Sequence, residues 1–214
     1  MRTEIRPARP GDAAFLSWVI LTAGRAHVKR GIWEVVLGEP ETACLAFLKR
    51  LAVTVKPHLF HHACYLIAEA DGNPAAGLGG YDPRVMGYDA LRLALQEVMK
   101  ERGDIALREK EMNRRAARVL GCIPDDVQGA WIIDSVATLP EFRRKGIVSG
   151  LLEEIMEKGR RLGFRCAQIN MYIGNTQAQR AYEKHGFQIL DEKRDPDFEA
   201  EIGSPGMVRM ARTL

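Results

Sequence analysis

Leu139-Pro140-Glu141-Phe142-Arg143-Arg144-Lys145-Gly146-Ile147-Val148-Ser149-Gly150-Leu151-Leu152 decides how this chain is read. The stretch passes from an apolar segment through a basic, glycine-containing turn into an amphipathic run. A helix beginning there presents unpaired N–H groups and the positive end of its dipole to whatever lies in front of it. Gly146 lets the backbone come close to a ligand, and Arg143, Arg144 and Lys145 add positive charge. The turn therefore suits an anion such as a pyrophosphate, although a basic triplet alone also reads as a solvated turn.

Just upstream, Trp131-Ile132-Ile133-Asp134-Ser135-Val136-Ala137-Thr138 reads as an apolar strand interrupted by a carboxylate. Such a group costs free energy unless it is paired, hydrated or used. Asp134 stands out for that reason, and its plainest reading is a hydrogen-bonded acid at the mouth of the strand. Downstream, the pattern predicts a helix over Ser149 to Leu162 closed by Gly163, a strand over Cys166 to Ile173, and a helix from Thr176 to His185 that stops at Gly186. Asn175 is a good N-cap for that last helix, and Ala178 and Tyr182, four apart, share one of its faces.

Nearer the N-terminus the reading is a strand over Thr3 to Ala8, a helix from Ala13 to about Leu21, and a second helix from Glu41 to Val53. Gly31-Ile32-Trp33 and Gly38-Glu39-Pro40 are read as connections. Tyr65 to Ala70 and Ala75 to Tyr81 form a hairpin across Asp71-Gly72-Asn73-Pro74, since Asp-Gly tolerates positive φ. From Asp89 to about Leu120 the chain is helical and charged, with a break at Arg102-Gly103-Asp104. Phe187 to Leu190 and Met207 to Met210 are two last strands around a polar loop. This mixed order predicts an α+β fold rather than a doubly wound sheet.

The 214 residues are 46% hydrophobic and 28% charged with a formal net charge of +3, the balance of a soluble globular domain with no need for a polyanionic partner. Neither a nucleic-acid nor a membrane partner is expected, and the opening residues carry no signal-peptide pattern, so a cytoplasmic location is expected. Cys44, Cys64, Cys122 and Cys166 are too dispersed for a paired motif and are read as reduced thiols. His58, His61 and His62 fit no zinc spacing; they are read as surface or substrate-pocket histidines, and no metal is expected. Neither the Gly-x-x-x-x-Gly-Lys-Ser/Thr loop nor a Gly-x-Gly-x-x-Gly after a first strand is present, which removes support for kinase and dinucleotide readings.

Arg143-Arg144-Lys145-Gly146-Ile147-Val148 resembles the acyl-CoA signature Gln/Arg-x-x-Gly-x-Gly/Ala of the GNAT superfamily of N-acetyltransferases, differing at the sixth position, where Val148 stands. Asn175-Thr176-Gln177-Ala178-Gln179-Arg180-Ala181-Tyr182-Glu183-Lys184-His185-Gly186-Phe187 resembles the family's second motif, Asn-x-x-Ala-x-x-x-Tyr-x-x-x-Gly-Phe. The likeness spans most of Glu4 to Leu214 apart from Asp82 to about Gln128.

The resemblance implies one three-layer α/β/α domain over residues 1–214, with a mixed, mainly antiparallel sheet and a helical insertion at about 82–128. It implies acetyl-CoA as co-substrate, bound by Val136, Ala137, Thr138, the turn from Arg143 through Lys145 and Gly146 to Ile147, Val148 and Ser149, and by Asn175 and Ala178. In this family's pattern Tyr182 is the general acid toward the leaving sulfur and Asp134 the base that takes a proton from the amine. The implied partner is a small-molecule or peptide amine. The run from Arg102 to Arg118, rich in both signs, is read first as a solvated helix, with its apolar stripe as a cover over substrate or a homodimer face the alternative. An acyl-CoA-binding sensor and a protein-interaction module are the rival readings.

Overall fold

A computed structural model describes residues 2–100 and 105–214. In chain order the elements are β1 (Thr3–Pro7), α1 (Ala13–Arg25), α2 (Ile32–Leu37), α3 (Glu41–Leu51), β2 (Tyr65–Ala70), β3 (Asn73–Tyr81), α4 (Pro83–Met86), α5 (Tyr88–Lys100), α6 (Ile105–Ala117) and β4 (Trp131–Thr138), followed by α7 (Ile147–Arg161), β5 (Cys166–Tyr172), α8 (Thr176–Lys184), β6 (Gln188–Arg194), α9 (Pro196–Ile202) and β7 (Gly206–Thr213). The break expected at Arg102-Gly103-Asp104 lies outside the described residues.

The strands form one sheet in the order β1-β2-β3-β4-β5-β7-β6. Each neighbouring pair is antiparallel except β4 with β5. This is the mixed α+β sheet expected. The period-two alternation of the central strands builds two cores. Ile67 and Ile132 face one core with Leu16 of α1, Leu48 of α3 and Leu91 of α5. Leu66, Ala68, Trp131 and Ile133 face the other, with Leu151, Leu152 and Ile155 of α7. Helix α7 lies so close to the sheet that a side-chain carbon on Gly80 would sit 2.5 Å from Ile155 and 2.9 Å from the Trp131 indole nitrogen, so only glycine fits there.

Several boundaries differ from the sequence reading. Ile32-Trp33, taken as part of a connection, opens the helix α2. Six residues have little helical stability of their own, and this turn is held by tertiary contacts. Glu34 accepts from Arg25 at 2.7 and 2.8 Å and from the Gly31 N–H at 2.9 Å, while Gly38 ends the helix at φ +66. Helix α1 continues to Arg25 rather than stopping near Leu21. The polar loop after β6 contains α9, capped by Asp195, whose carboxylate accepts the Phe198 N–H at 2.9 Å, with Pro196 in the first turn and Gly203 closing it at φ +83.

His58 and His61 are interior rather than on the surface or in the pocket, while His62 is half-buried and off the cleft lining. His58 is fully buried and its Nε2 meets the Leu51 carbonyl at 3.0 Å and the Thr54 hydroxyl at 3.1 Å. His61 Nε2 meets the Thr54 carbonyl at 3.1 Å. These rings finish the C-terminal end of α3, and burial pushes the His58 pKa down to about 4, which keeps it neutral. In the insertion, Leu91, Ala94, Val98 and Met99 of α5 and Met112 of α6 are buried in the first core of their own chain.

Candidate active site

The site begins with an irregularity in β4. Gly77 pairs with Ala137 but Gly79 with Asp134, so β4 carries one residue more than β3 over this span. The extra residue forms a β-bulge, in which Ser135 adopts φ +55. On its other edge β4 pairs with β5 over Trp131, Ile132 and Ile133 opposite Ala167, Gln168 and Ile169. Beyond those pairs β5 stays with β7 as far as Tyr172. The two parallel strands part at Asp134 and Asn170.

The parting opens a cleft of about 1110 Å³. It is lined from one face of the sheet by Ile20, Trp33, Tyr81 and Leu91 and from the other by Ile147, Ile169, Met171 and Tyr182. The cleft thus joins the two sides of the sheet, with Asp134 at the junction.

The basic turn closes one end. After Thr138 the chain makes a short 3-10 turn over Pro140–Phe142, and Arg143 Nε donates to the Thr138 carbonyl at 3.2 Å. Arg144 and Gly146 are left-handed, at φ +61 and +79. Helix α7 then starts at Ile147, two residues earlier than the sequence suggested. No atom lies within 4 Å of where a Gly146 side chain would begin, so the backbone at the helix N-terminus is open to a ligand. Ser149, which lines the cleft, has its Oγ 3.0 Å from His185 Nε2 of the segment that ends α8. Val148 is half-buried, packed against the second core and also lining the cleft. Its bulk is therefore divided between the two.

The fit to an acyl-CoA can be tested on the residues themselves. Along the parted edge of β4, Val136, Ala137 and Thr138 line the cleft, and the Thr138 hydroxyl is buried with no hydrogen-bond partner among the described residues. Arg143, Arg144, Gly146, Ile147, Val148 and Ser149 line it too, as do Asn175 and Ala178. Of the residues expected here, Lys145 is the exception. It is exposed, off the lining, with its ammonium 5.2 Å over the Phe142 ring. An open helix N-terminus beside two arginines, an unpaired strand edge and an orphaned hydroxyl are groups that a phosphorylated, amide-bearing ligand would satisfy.

Asp134 and Tyr182 both face this cleft. Asp134 Oδ1 accepts the Ser135 backbone N–H at 2.6 Å. Burial pushes its pKa up to about 6; the Ser135 hydrogen bond opposes the rise and the charge of Asp126 adds to it. Tyr182 is buried on α8 against Phe187, ring centroids 6.3 Å apart. Burial first, and then the Asp134 charge, hold its phenol above the ordinary range, so it stays protonated. Asn175 Oδ1 caps α8 by accepting the Ala178 N–H at 3.3 Å, which fixes the helix that presents Tyr182.

The other end of the cleft was not read from the sequence. Trp33 and Phe60, edge to face at 4.9 Å, line it with Tyr81, Tyr88, Leu91 and Leu95. Asp126 also lines it. Tyr172 donates its O–H to the Gly24 carbonyl at 2.6 Å, tying β5 to the end of α1. The alternation over Cys166 to Ile173 placed Tyr172 on one face with Asn170, which also lines the cleft, and was the one available signal.

The acetyltransferase (GNAT) family model matches residues 37–187, and the chain belongs to that family. Among solved structures, one described as an acetyltransferase is 18% identical with a TM-score of 0.69, covering 98% of each chain. An N-acetyltransferase from Staphylococcus aureus Mu50 is 18% identical with a TM-score of 0.66, covering 98% of this chain and 100% of that one. A polyamine N-acetyltransferase from Drosophila melanogaster is 15% identical with a TM-score of 0.55 over the whole of both chains. These likenesses are of fold. No curated protein matches the chain in sequence. No helix among the described residues is long and apolar enough to cross a membrane.

Proposed function

We propose that the protein moves an acetyl group from acetyl-CoA to a primary amine by direct attack, without an acyl-enzyme. The observation that carries this reading is that Asp134, Tyr182 and the open turn at Gly146 line one cleft at the point where β4 and β5 part. Acetyl-CoA supplies the thioester; its phosphates suit the start of α7 with Arg143 and Arg144, and its amide arm suits the free edge of Val136 to Thr138. The Val136 N–H faces the role of polarising the acetyl carbonyl.

The protein's own groups then divide the proton work. An alkylammonium of pKa ~10.4 must lose about 3.4 units' worth of proton affinity to react at pH 7, roughly 4 to 5 kcal/mol, whereas a thiol near 8.5 lies only ~2 kcal/mol from that pH. Removing the amine proton is the larger demand, and Asp134, ionised above about pH 6, takes it directly or through water. Tyr182, held protonated, donates to the departing sulfur. Cys122 and Cys166 have thiols raised by burial, which disfavours the thiolate a covalent carrier needs.

Thermal unfolding with and without acetyl-CoA, followed by thiol release on adding amines, tests the proposal. Ligand at about 100 times its dissociation constant adds ~2.7 kcal/mol, or roughly 5 to 10 °C for this length. A shift of that order with amine-dependent thiol release supports the reading. Binding without turnover on any amine would make the chain an acyl-CoA sensor, and no shift at millimolar cofactor would remove the reading altogether.

A further inference from the structure

Resting on that proposed activity, we propose that the acceptor is a primary amine with an apolar, ring-bearing body and no carboxylate, its ammonium held between Asp126 and Asp134. Two sets of observations lead there. The first is the wall of the cleft away from the anion turn, built from Trp33, Phe60, Tyr81, Tyr88, Leu91 and Leu95. Such a surface favours an apolar body and penalises an anion laid against it. Trp33 and Leu91 are buried in the first core, and Trp33 is held edge to face against Phe60, so much of the wall is preformed.

The second is the distribution of charge. Among the described lining residues the acids are Asp126 and Asp134, while the cations, Arg143, Arg144 and Arg180, sit on the turn and on α8. An amine that also carried a carboxylate would meet two acids here with no cation among the apolar wall residues. A polyamine would leave the apolar wall unfilled, and its further ammonium groups would find both acids already engaged.

Asp126 is an exposed residue of the cleft lining, yet its backbone is fixed on both sides. The Val127 N–H donates to Gln168 Oε1 at 2.6 Å, and the Asp125 carbonyl accepts from Gln168 Nε2 at 3.3 Å and from Arg209 Nη1 at 2.8 Å. Gln168 is fully buried and pairs with Ile132, one pair before the strands part. The segment bearing Asp126 is therefore anchored at the root of the splay, on the same cleft as Asp134. A loop carboxylate pinned this way is preorganised to receive a cation, and nothing in the proton transfer itself requires it. Asp126 acts here as a recognition residue.

Calorimetric titration into CoA-saturated protein at pH 8 tests this with phenethylamine, phenylalanine and spermidine, the first two differing only by a carboxylate. Phenethylamine should bind roughly 10²-fold tighter than phenylalanine and tighter than spermidine. Asp126→Asn, shown folded by an unchanged CoA-induced thermal shift, should weaken phenethylamine about tenfold. In thiol release it should raise KM with kcat little altered. Equal or tighter binding of phenylalanine or spermidine, or no binding of phenethylamine, overturns the inference, as does an Asp126→Asn protein that binds phenethylamine unchanged. Failure of acetyl-CoA itself to bind would instead remove the acetyltransferase reading, so the two failures are distinguishable.

Discussion

Ser135 donates its backbone N–H to the Oδ1 of its own neighbour Asp134 at 2.6 Å, and does so from a left-handed backbone at φ +55. The bulge that parts β4 from β5 and the carboxylate proposed as base are thus one local structure. The extra residue turns the strand edge toward the cleft, and the acid that this exposes accepts the N–H next to it. Several consequences of this arrangement can be measured.

The first is the pH profile. If Asp134 must be ionised to accept the amine proton, kcat/KM should fall as pH drops through about 6, the value to which burial raises it. Asp126 contributes to that rise, so Asp126→Asn should move the acid limb to lower pH. Asp134→Asn should cost roughly 10²-fold or more near neutrality, with activity returning at high pH as free amine accumulates. A profile of unchanged shape, merely scaled down, would remove Asp134 from the role of base.

Stability should run the other way. Asp134 is raised in the folded protein, so between about pH 4 and 6 the native state binds a proton that the unfolded chain releases. The carboxyl therefore does not oppose folding below that window and does so fully above it. Asp134→Asn should stabilise the protein by about 1 to 2 kcal/mol at pH 7 to 8, allowing for partial solvent access. The gain should vanish near pH 4, as urea denaturation at the two pH values will read.

Tyr182→Phe should reduce kcat less than loss of the base, by roughly 10-fold, because thiolate departure is the smaller demand. Since burial and the Asp134 charge both hold the phenol protonated, the wild-type profile should show no alkaline limb from Tyr182. Rates with the Phe variant between pH 7 and 9.5 check both statements.

Gly80→Ala addresses the seating of α7 on the sheet. The new carbon would meet Ile155 at 2.5 Å and Trp131 at 2.9 Å, and overpacking of this kind costs about 1 to 3 kcal/mol. Because α7 carries the anion turn at its start, acetyl-CoA affinity should fall along with the denaturation midpoint. A destabilised variant with unaltered affinity would show that the turn is positioned independently of the helix packing.

Val148→Ala separates the packing role of this side chain from any crowding of the ligand. It is half-buried against Ile147's core, so its loss should cost about 1 kcal/mol. The backbone N–H at the helix start is unchanged, and affinity for acetyl-CoA should stay within about threefold of wild type, as calorimetry will read.

Much of this was legible before any coordinates. Tyr65 to Ala70 and Trp131 to Thr138 emerged with the boundaries observed, because short apolar runs flanked by polar and turn-forming residues leave little choice of extent. The turn into α7 was visible in its glycine and charges, and the cap at Asn175 in its residue type. Helix α9 was also signalled, by Asp195-Pro196 and Gly203, and passed over as a polar loop. The histidines misled because residue type alone does not tell a cap on α3's last carbonyls from a pocket group.

What the amino-acid order determined by itself was the set of local pieces: the strands, the main helices, the basic turn at the start of α7 and the placing of Asp134 and Tyr182 on their elements. These depend on neighbours a few residues apart, whose spacing is written in the chain. Only the tertiary structure decided that β4 carries a bulge against β3, that β5 leaves it after three pairs, that Lys145 turns to Phe142, and that Trp33, Phe60, Tyr88 and Asp126 gather at one mouth. Those outcomes follow from strand register and from contacts such as Arg115 with Leu37 or Gln168 with Val127, which join distant parts of the chain and have no local signature.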